Sequence, residues 1–264
     1  MGGGFATQHF RLRVLLMGIG LAIPALPQAA AQSSLPANFV YLRDVDPGIA
    51  QDIRYAGADN FVGRPLPGYE AAECILRRDV AAALKQVQAD LSTASLALKV
   101  YDCYRPTRAV RAMAQWASAS RDNGATKRFY PKLQKESLFG LGYISSQSKH
   151  STGTAIDLTL IETPPSPAAP FDPAAAYGSC TGAAAQRAPD NTLDMGTGYD
   201  CFDGRSHTAS MAISAEQRRS RNLLLAAMTK REFSNYAREW WHYTFRGGRL
   251  VSYFDFPIRP RPAN

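Results

Sequence analysis

The clearest alternation of apolar and polar positions in this chain runs from Ala155 to Leu160, where Ile156, Leu158 and Leu160 alternate with Ala155, Asp157 and Thr159. A period of two predicts a half-buried strand. Asp157 then shares a face with Ala155 and Thr159, away from the Ile156/Leu158/Leu160 core face. The small, glycine-containing turn Ser151-Thr152-Gly153-Thr154 precedes it, which is enough chain to fold His150 back towards Asp157. Elsewhere the spacing is helical. Ile75, Val80, Leu84, Val87 and Leu91 predict a helix over 75–91, and Leu223, Leu224, Ala227 and Met228 are the inward positions of another over 214–231, N-capped by Ser214. Leu96 to Tyr101 reads as a buried strand, and Pro106 opens a helix to about Ala119, as proline does at a first helical position. Trp240 to Phe245, aromatic and β-branched, predicts a further strand.

Between these elements the chain is polar and rich in turn residues. Residues 39–55 form a turn-rich entry with one short strand at Asp52–Tyr55, and 59–65 and 121–147 read as loops. Residues 162–193 are dense in Pro, Ala and Gly and predict an extended surface insertion, stapled through Cys180. An acidic loop, 194–203, follows it, and Ser252 to Pro257 closes the domain.

The first 31 residues have a different character. Arg11 and Arg13 precede an apolar run from Val14 to Leu26, and Ala29-Ala30-Ala31 supplies small residues for cleavage, as in a secretory signal peptide. That run is too short for a comfortable membrane span. Residues 32–264 are then expected to be one domain, exported to the bacterial periplasm, with no stable membrane insertion after cleavage. The leader carries two arginines and no acid, so its removal lowers the formal charge from +8 to +6. The basic residues are scattered and form no nucleic-acid motif, so no nucleic-acid partner is expected.

Export also changes the meaning of Cys74, Cys103, Cys180 and Cys201. An even number of cysteines in an oxidising compartment predicts two disulfides. Of the three possible pairings, Cys74 with Cys103 and Cys180 with Cys201 close the shorter loops.

His150, Asp157 and His242 supply two imidazoles and one carboxylate, the donor set that leaves a catalytic zinc its open position. Glu239 stands three residues before His242. In a flat strand the two would point to opposite faces, so Glu239 is expected at a bulge or at the turn entering the strand, within reach as general base. Arg105 falls at a strand-to-helix junction, where a permanent cation serves a developing oxyanion. His207 reads as a structural histidine, and Trp240 and Trp241 as core or pocket wall.

Taken together, Ser-Lys-His150-Ser-Thr-Gly-Thr-Ala-Ile-Asp157, Tyr-Asp-Cys-Tyr-Arg105-Pro-Thr-Arg, Asp-Met-Gly-Thr-Gly-Tyr-Asp200, Glu239-Trp-Trp-His242-Tyr and Tyr-Phe-Asp-Phe-Pro257 stand in an order that resembles the zinc D-alanyl-D-alanine dipeptidases. The resemblance spans about residues 39–258. It implies an α+β fold of the hedgehog/D,D-peptidase type, a single compact domain whose small antiparallel sheet carries a zinc site, with flanking helices. It implies one zinc ion on His150, Asp157 and His242, Glu239 as catalytic base and Arg105 stabilising the transition state. Asp200 would receive the ammonium of a small D,D-dipeptide substrate, with Ser148 lining the same pocket. The chain differs from that family in its leader, its four cysteines and the length of the segment before Asp200. A muramyl-peptide D,D-carboxypeptidase, a non-haem iron oxygenase and a non-catalytic peptidoglycan-binding module are the competing readings.

Overall fold

A computed structural model describes residues 1–5, 35–119, 124–167, 169–247 and 252–262. In chain order the main elements are β1 (Phe39–Tyr41), α1 (Leu42–Val45), β2 (Ala50–Gln51), β3 (Ile75–Arg77), α2 (Arg78–Ser92), β4 (Leu96–Asp102), α3 (Thr107–Ser118), β5 (Ala155–Glu162), α4 (Ala215–Lys230), β6 (Phe233–Asn235) and β7 (His242–Phe245). Short 3₁₀ turns join several of them. Among the described residues the result is a mixed α/β unit of four helices and two small sheets.

The larger sheet has the order β2-β4-β5-β7-β6. Its pairings are antiparallel except for β2, which runs parallel to β4 and makes the sheet mixed rather than antiparallel. β5 lies between β4 and β7, so the alternating strand is not half-buried: every residue from Ala155 to Ile161 is buried. A central strand covered on both faces places Asp157 and Thr159 inside as firmly as Leu158. The second sheet is a two-stranded ribbon of β1 and β3.

Three local expectations are corrected by long-range pairing. Ile75-Leu76-Arg77 is β3, held by Phe39–Tyr41, and the helix begins only at Arg78. The early strand is Ala50–Gln51, drawn to β4, while residues 54–56 form a 3₁₀ turn. In α4, Leu224 and Met228 are buried but Leu223 is 51% exposed. Arg221 takes the inward position instead, donating to the carbonyls of Met195, His207 and Arg205 at 2.7, 2.6 and 2.9 Å. Burial pushes that guanidinium down to about 10. Ser214 caps α4 in a reciprocal capping box with Gln217, as its sequence suggests. Pro106 is the residue just before α3.

Both expected disulfides form: Cys74–Cys103 and Cys180–Cys201. The segment after β5 is mostly irregular and exposed up to Ala176, but it is not a free insertion throughout. The Leu193 amide donates to Leu160, and Asp190 pairs with Lys99 and accepts from the Tyr101 hydroxyl at 2.5 Å. Cys180 does staple it. The expected leader falls largely within residues 6–34, outside the described residues. Among the described residues no helix is long and apolar enough to cross a membrane.

Candidate active site

The register of three neighbouring strands assembles the site. Asp157 on β5 faces His242 on β7 and, across the other edge, Asp102 on β4. A bulge between Val100 and Asp102 re-aims the end of β4 so that Asp102 enters this row. Directly opposed residues share a sheet face.

His150 arrives from the 3₁₀ turn Lys149–Thr152. Ser148 caps this turn, its Oγ accepting from the His150 amide at 3.3 Å, and Gly153 closes it with φ +73°. Only glycine fits there. A Cβ at 153 would sit 2.3 Å from the Phe39 ring, in a backbone region that other residues rarely adopt. The turn brings His150 Nε2 to 3.3 Å from Asp157 Oδ1 and 3.1 Å from His242 Nδ1, and His242 Nδ1 lies 3.0 Å from the same carboxylate oxygen. His150 Nδ1 donates to the Cys103 carbonyl at 2.7 Å. A carbonyl only accepts, so the proton is fixed on Nδ1 and the Nε2 lone pair is free to ligate. These three residues form the group able to hold a metal ion among the described residues.

Glu239 lies in the turn entering β7, as expected. Its amide donates to Tyr236 and its carbonyl accepts from His242, while Asn235 Nδ2 donates to the carbonyls of both Glu239 and His242. Its Oε2 is 3.9 Å from His242 Nδ1. Burial raises the Glu239 carboxyl well above the ordinary range, and the charges of Asp157 and Asp200 push the same way against Arg105. Burial raises Asp200 well above its usual value too, with Asp157 adding to it. For Asp157 burial works in the same direction, but the two histidines outweigh it and hold the carboxyl low. Two buried acids, Asp157 and Asp200, and the partly buried Glu239 around one cleft make a place where a cation fits.

Arg105 sits at the β4–α3 junction. Its Nε and Nη2 reach Asp102 Oδ2 at 2.9 and 2.8 Å, and Nη2 is 3.5 Å from Asp157 Oδ2. The guanidinium lies over the Tyr55 ring, 4.8 Å from its centroid. Asp102 is fully buried, with Tyr69 donating to its other oxygen at 2.6 Å. Asp102 is not among the residues singled out above, although an acid ending an apolar strand is itself a signal, because a buried charge requires partners.

Asp200 has φ +54° and accepts from the Tyr55 hydroxyl at 2.8 Å. It lines a cleft of about 230 Å³ together with Ser148, His150, Asp157, Glu239 and His242. Arg105, Trp241 and Lys149 also border it. All seven residues singled out from the sequence are therefore in one place. His207 is not; its Nε2 lies 3.4 Å from the Tyr143 hydroxyl. Trp240 and Trp241 are both buried, and Trp241 forms cleft wall.

The model of the D-ala-D-ala dipeptidase family matches residues 36–166 and 179–257. The unmatched stretch inside this span, 167–178, is narrower than the insertion expected over 162–193. A D-alanyl-D-alanine dipeptidase of Enterococcus faecium is 33% identical over 84% of this chain and 98% of its own length. Those of Streptomyces coelicolor and Escherichia coli are 32% and 31% identical, over 85% and 78% of this chain and 100% and 83% of their own lengths. The chain belongs to the D-ala-D-ala dipeptidase family of peptidases.

Proposed function

We propose that the protein hydrolyses D-alanyl-D-alanine to two D-alanines, in the metabolism of cell-wall peptides. The observation that carries this is the meeting of a His/Asp/His donor triangle, a partly buried glutamate and a partly buried arginine in the same cleft as Asp200, in a chain of this family.

Zinc is the metal we assign to His150, Asp157 and His242. Zinc–ligand bonds of 2.0–2.1 Å in a tetrahedron set ligand atoms about 3.3 Å apart, and the triangle has edges of 3.0, 3.1 and 3.3 Å. Zinc there supplies Lewis acidity, which makes water nucleophilic at neutral pH and polarises a peptide carbonyl.

The residues of the chain do the rest. Glu239, with its raised proton affinity, takes a proton from the attacking water and returns it to the departing D-alanine amine. Arg105, oriented by Asp102, faces the developing oxyanion. Asp200 pairs with the free ammonium of the substrate, and Ser148 borders the same space. We further assign the sheet and its site to the architecture that D,D-peptidases share with the hedgehog signalling domain.

Export completes the reading. Two disulfides suit an oxidising compartment, and residues 1–31 have the composition of a cleaved leader. We therefore place the mature enzyme in the bacterial periplasm, where peptidoglycan fragments are at hand.

The test is to offer the purified mature protein D-Ala-D-Ala beside an N-acylated tripeptide ending in D-Ala-D-Ala. Cleavage of the dipeptide and sparing of the acylated peptide is the expected result, since acylation removes the ammonium that Asp200 receives. Preference for the tripeptide would move the protein to the D,D-carboxypeptidases, and metal analysis finding iron would support an oxygenase instead.

A further inference from the structure

Tyr199 stands beside Asp200 in the chain, yet its hydroxyl serves a different carboxylate. It donates to Asp157 Oδ2 at 2.9 Å. The other oxygen of that carboxylate, Oδ1, is the one facing His150 Nε2 and His242 Nδ1. The hydroxyl therefore grips the oxygen that the donor triangle leaves over, and so fixes the rotation of the carboxylate about its Cβ–Cγ bond.

The ring that carries this hydroxyl cannot drift. It stacks on Tyr101 with centroids 4.4 Å apart and planes 17° from parallel, and it meets the buried Trp241 edge-on at 5.5 Å. The Tyr199 hydroxyl lies 3.3 Å from that of Tyr55, and Tyr55 donates to Asp200 Oδ2 at 2.8 Å. A row of contacts, Asp157–Tyr199–Tyr55–Asp200, thus joins the donor triangle to the Asp200 carboxylate.

Each phenol has one proton to give. With both carboxylates ionised and the cleft empty, Tyr199 is committed to Asp157 and Tyr55 to Asp200, so the contact between the two hydroxyls lacks a proton. An ammonium on Asp200 brings donors of its own. The Tyr55 proton can then turn to the Tyr199 oxygen, and a phenol that accepts a hydrogen bond becomes a stronger donor to Asp157.

We propose that Tyr199 is a positioning residue that orients the Asp157 carboxylate for the metal and ties it, through Tyr55, to Asp200. The metal half of this stands on the donor triangle alone. The ammonium half rests on the substrate reading above.

The test measures the zinc dissociation constant, by competition with a chromophoric chelator, for wild type, Tyr199→Phe, Tyr55→Phe, the double variant and Tyr101→Phe. Tyr199→Phe keeps the stacked ring and loses only the hydroxyl, and zinc binding is expected to weaken about ten- to a hundred-fold, the usual effect of removing an outer partner of a ligand. With ethylammonium present to occupy Asp200, Tyr55→Phe is expected to weaken it less, and to add nothing in the Tyr199→Phe background, since Tyr55 acts on Asp157 only through Tyr199 and only once its proton is released from Asp200. Tyr101→Phe deletes a neighbouring buried hydroxyl that does not touch Asp157, and is expected to bind zinc as wild type does. Near-UV circular dichroism reads folding separately, and Tyr55→Phe carries the test should Tyr199→Phe fail to fold. Unchanged zinc affinity in folded Tyr199→Phe, or additive losses in the double variant, would overturn the proposal. Failure of wild type to cleave D-Ala-D-Ala would sink the substrate reading, while the zinc titrations would still decide the role of Tyr199.

Discussion

Asp157 and His242 are direct cross-strand partners on β5 and β7, with Nδ1 of the histidine 3.0 Å from Oδ1 of the aspartate. Their meeting is set by strand register, and a slip of one residue would turn one of them to the opposite face of the sheet. Glu239 depends on the same pairing, because its turn is pinned by the carbonyls that Asn235 collects from Glu239 and His242.

Glu239 and His242 are assigned different duties, and substitution separates them. Glu239→Gln is expected to bind zinc as wild type does while losing at least about a hundredfold in kcat, the range for a general base. His242→Ala is expected to lose metal and turnover together. Zinc content and kcat measured on both proteins check this, and equal zinc loss in the two would contradict the division.

Arg105→Lys retains the charge and gives up the fork that meets Asp102. A drop in kcat of about 10²–10³ is expected, the effect of removing one oxyanion donor, with KM changed far less. Steady-state kinetics decide; a rise in KM at constant kcat would make Arg105 a substrate-binding residue instead.

Much of this site was legible because its signals are local. His150, Gly153 and Asp157 sit within one turn and strand, and Glu239 and His242 within another, so spacing alone brought each set near its final place. Tyr199 and Tyr55 gave no such signal. Their partners lie 42 and 145 positions away in the chain, respectively Asp157 and Asp200, and a single tyrosine does not announce a distant hydrogen bond. The same holds for the fold. Ile75 fits a helical stripe until Tyr41 pairs with it, and Leu223 yields the inward face of α4 because Arg221 meets three loop carbonyls that only the tertiary structure supplies.

Asp200→Asn removes the charge proposed to meet the substrate ammonium. A charged hydrogen bond is worth about 1.5–3 kcal/mol, so KM for D-Ala-D-Ala is expected to rise roughly ten- to a hundred-fold, with discrimination against N-acylated peptides reduced. Competition kinetics with the two substrates check it; undiminished discrimination would remove Asp200 from the ammonium site.

Asp190 gives the fold a pH signature away from the cleft. Burial opposes its ionisation, but Arg54 and Lys99 outweigh that and lower its pKa. A carboxyl depressed by folding contributes stability that is complete above its unfolded pKa, about 3.9, and is lost as pH falls through the lower folded value. Asp190→Asn is therefore expected to cost about 1–3 kcal/mol at pH 7, with the gap to wild type closing below about pH 4. Urea melts at pH 7 and pH 3 measure it, and an equal gap at both would contradict the ion-pair account.

The central claim is a metal-dependent D,D-dipeptidase, and its most direct test is D-alanine release from D-Ala-D-Ala by the purified mature protein, with chelator and again after zinc is restored. Release that stops with chelator and returns with zinc is the predicted result. Release indifferent to chelator, or none from zinc-loaded protein, would contradict it.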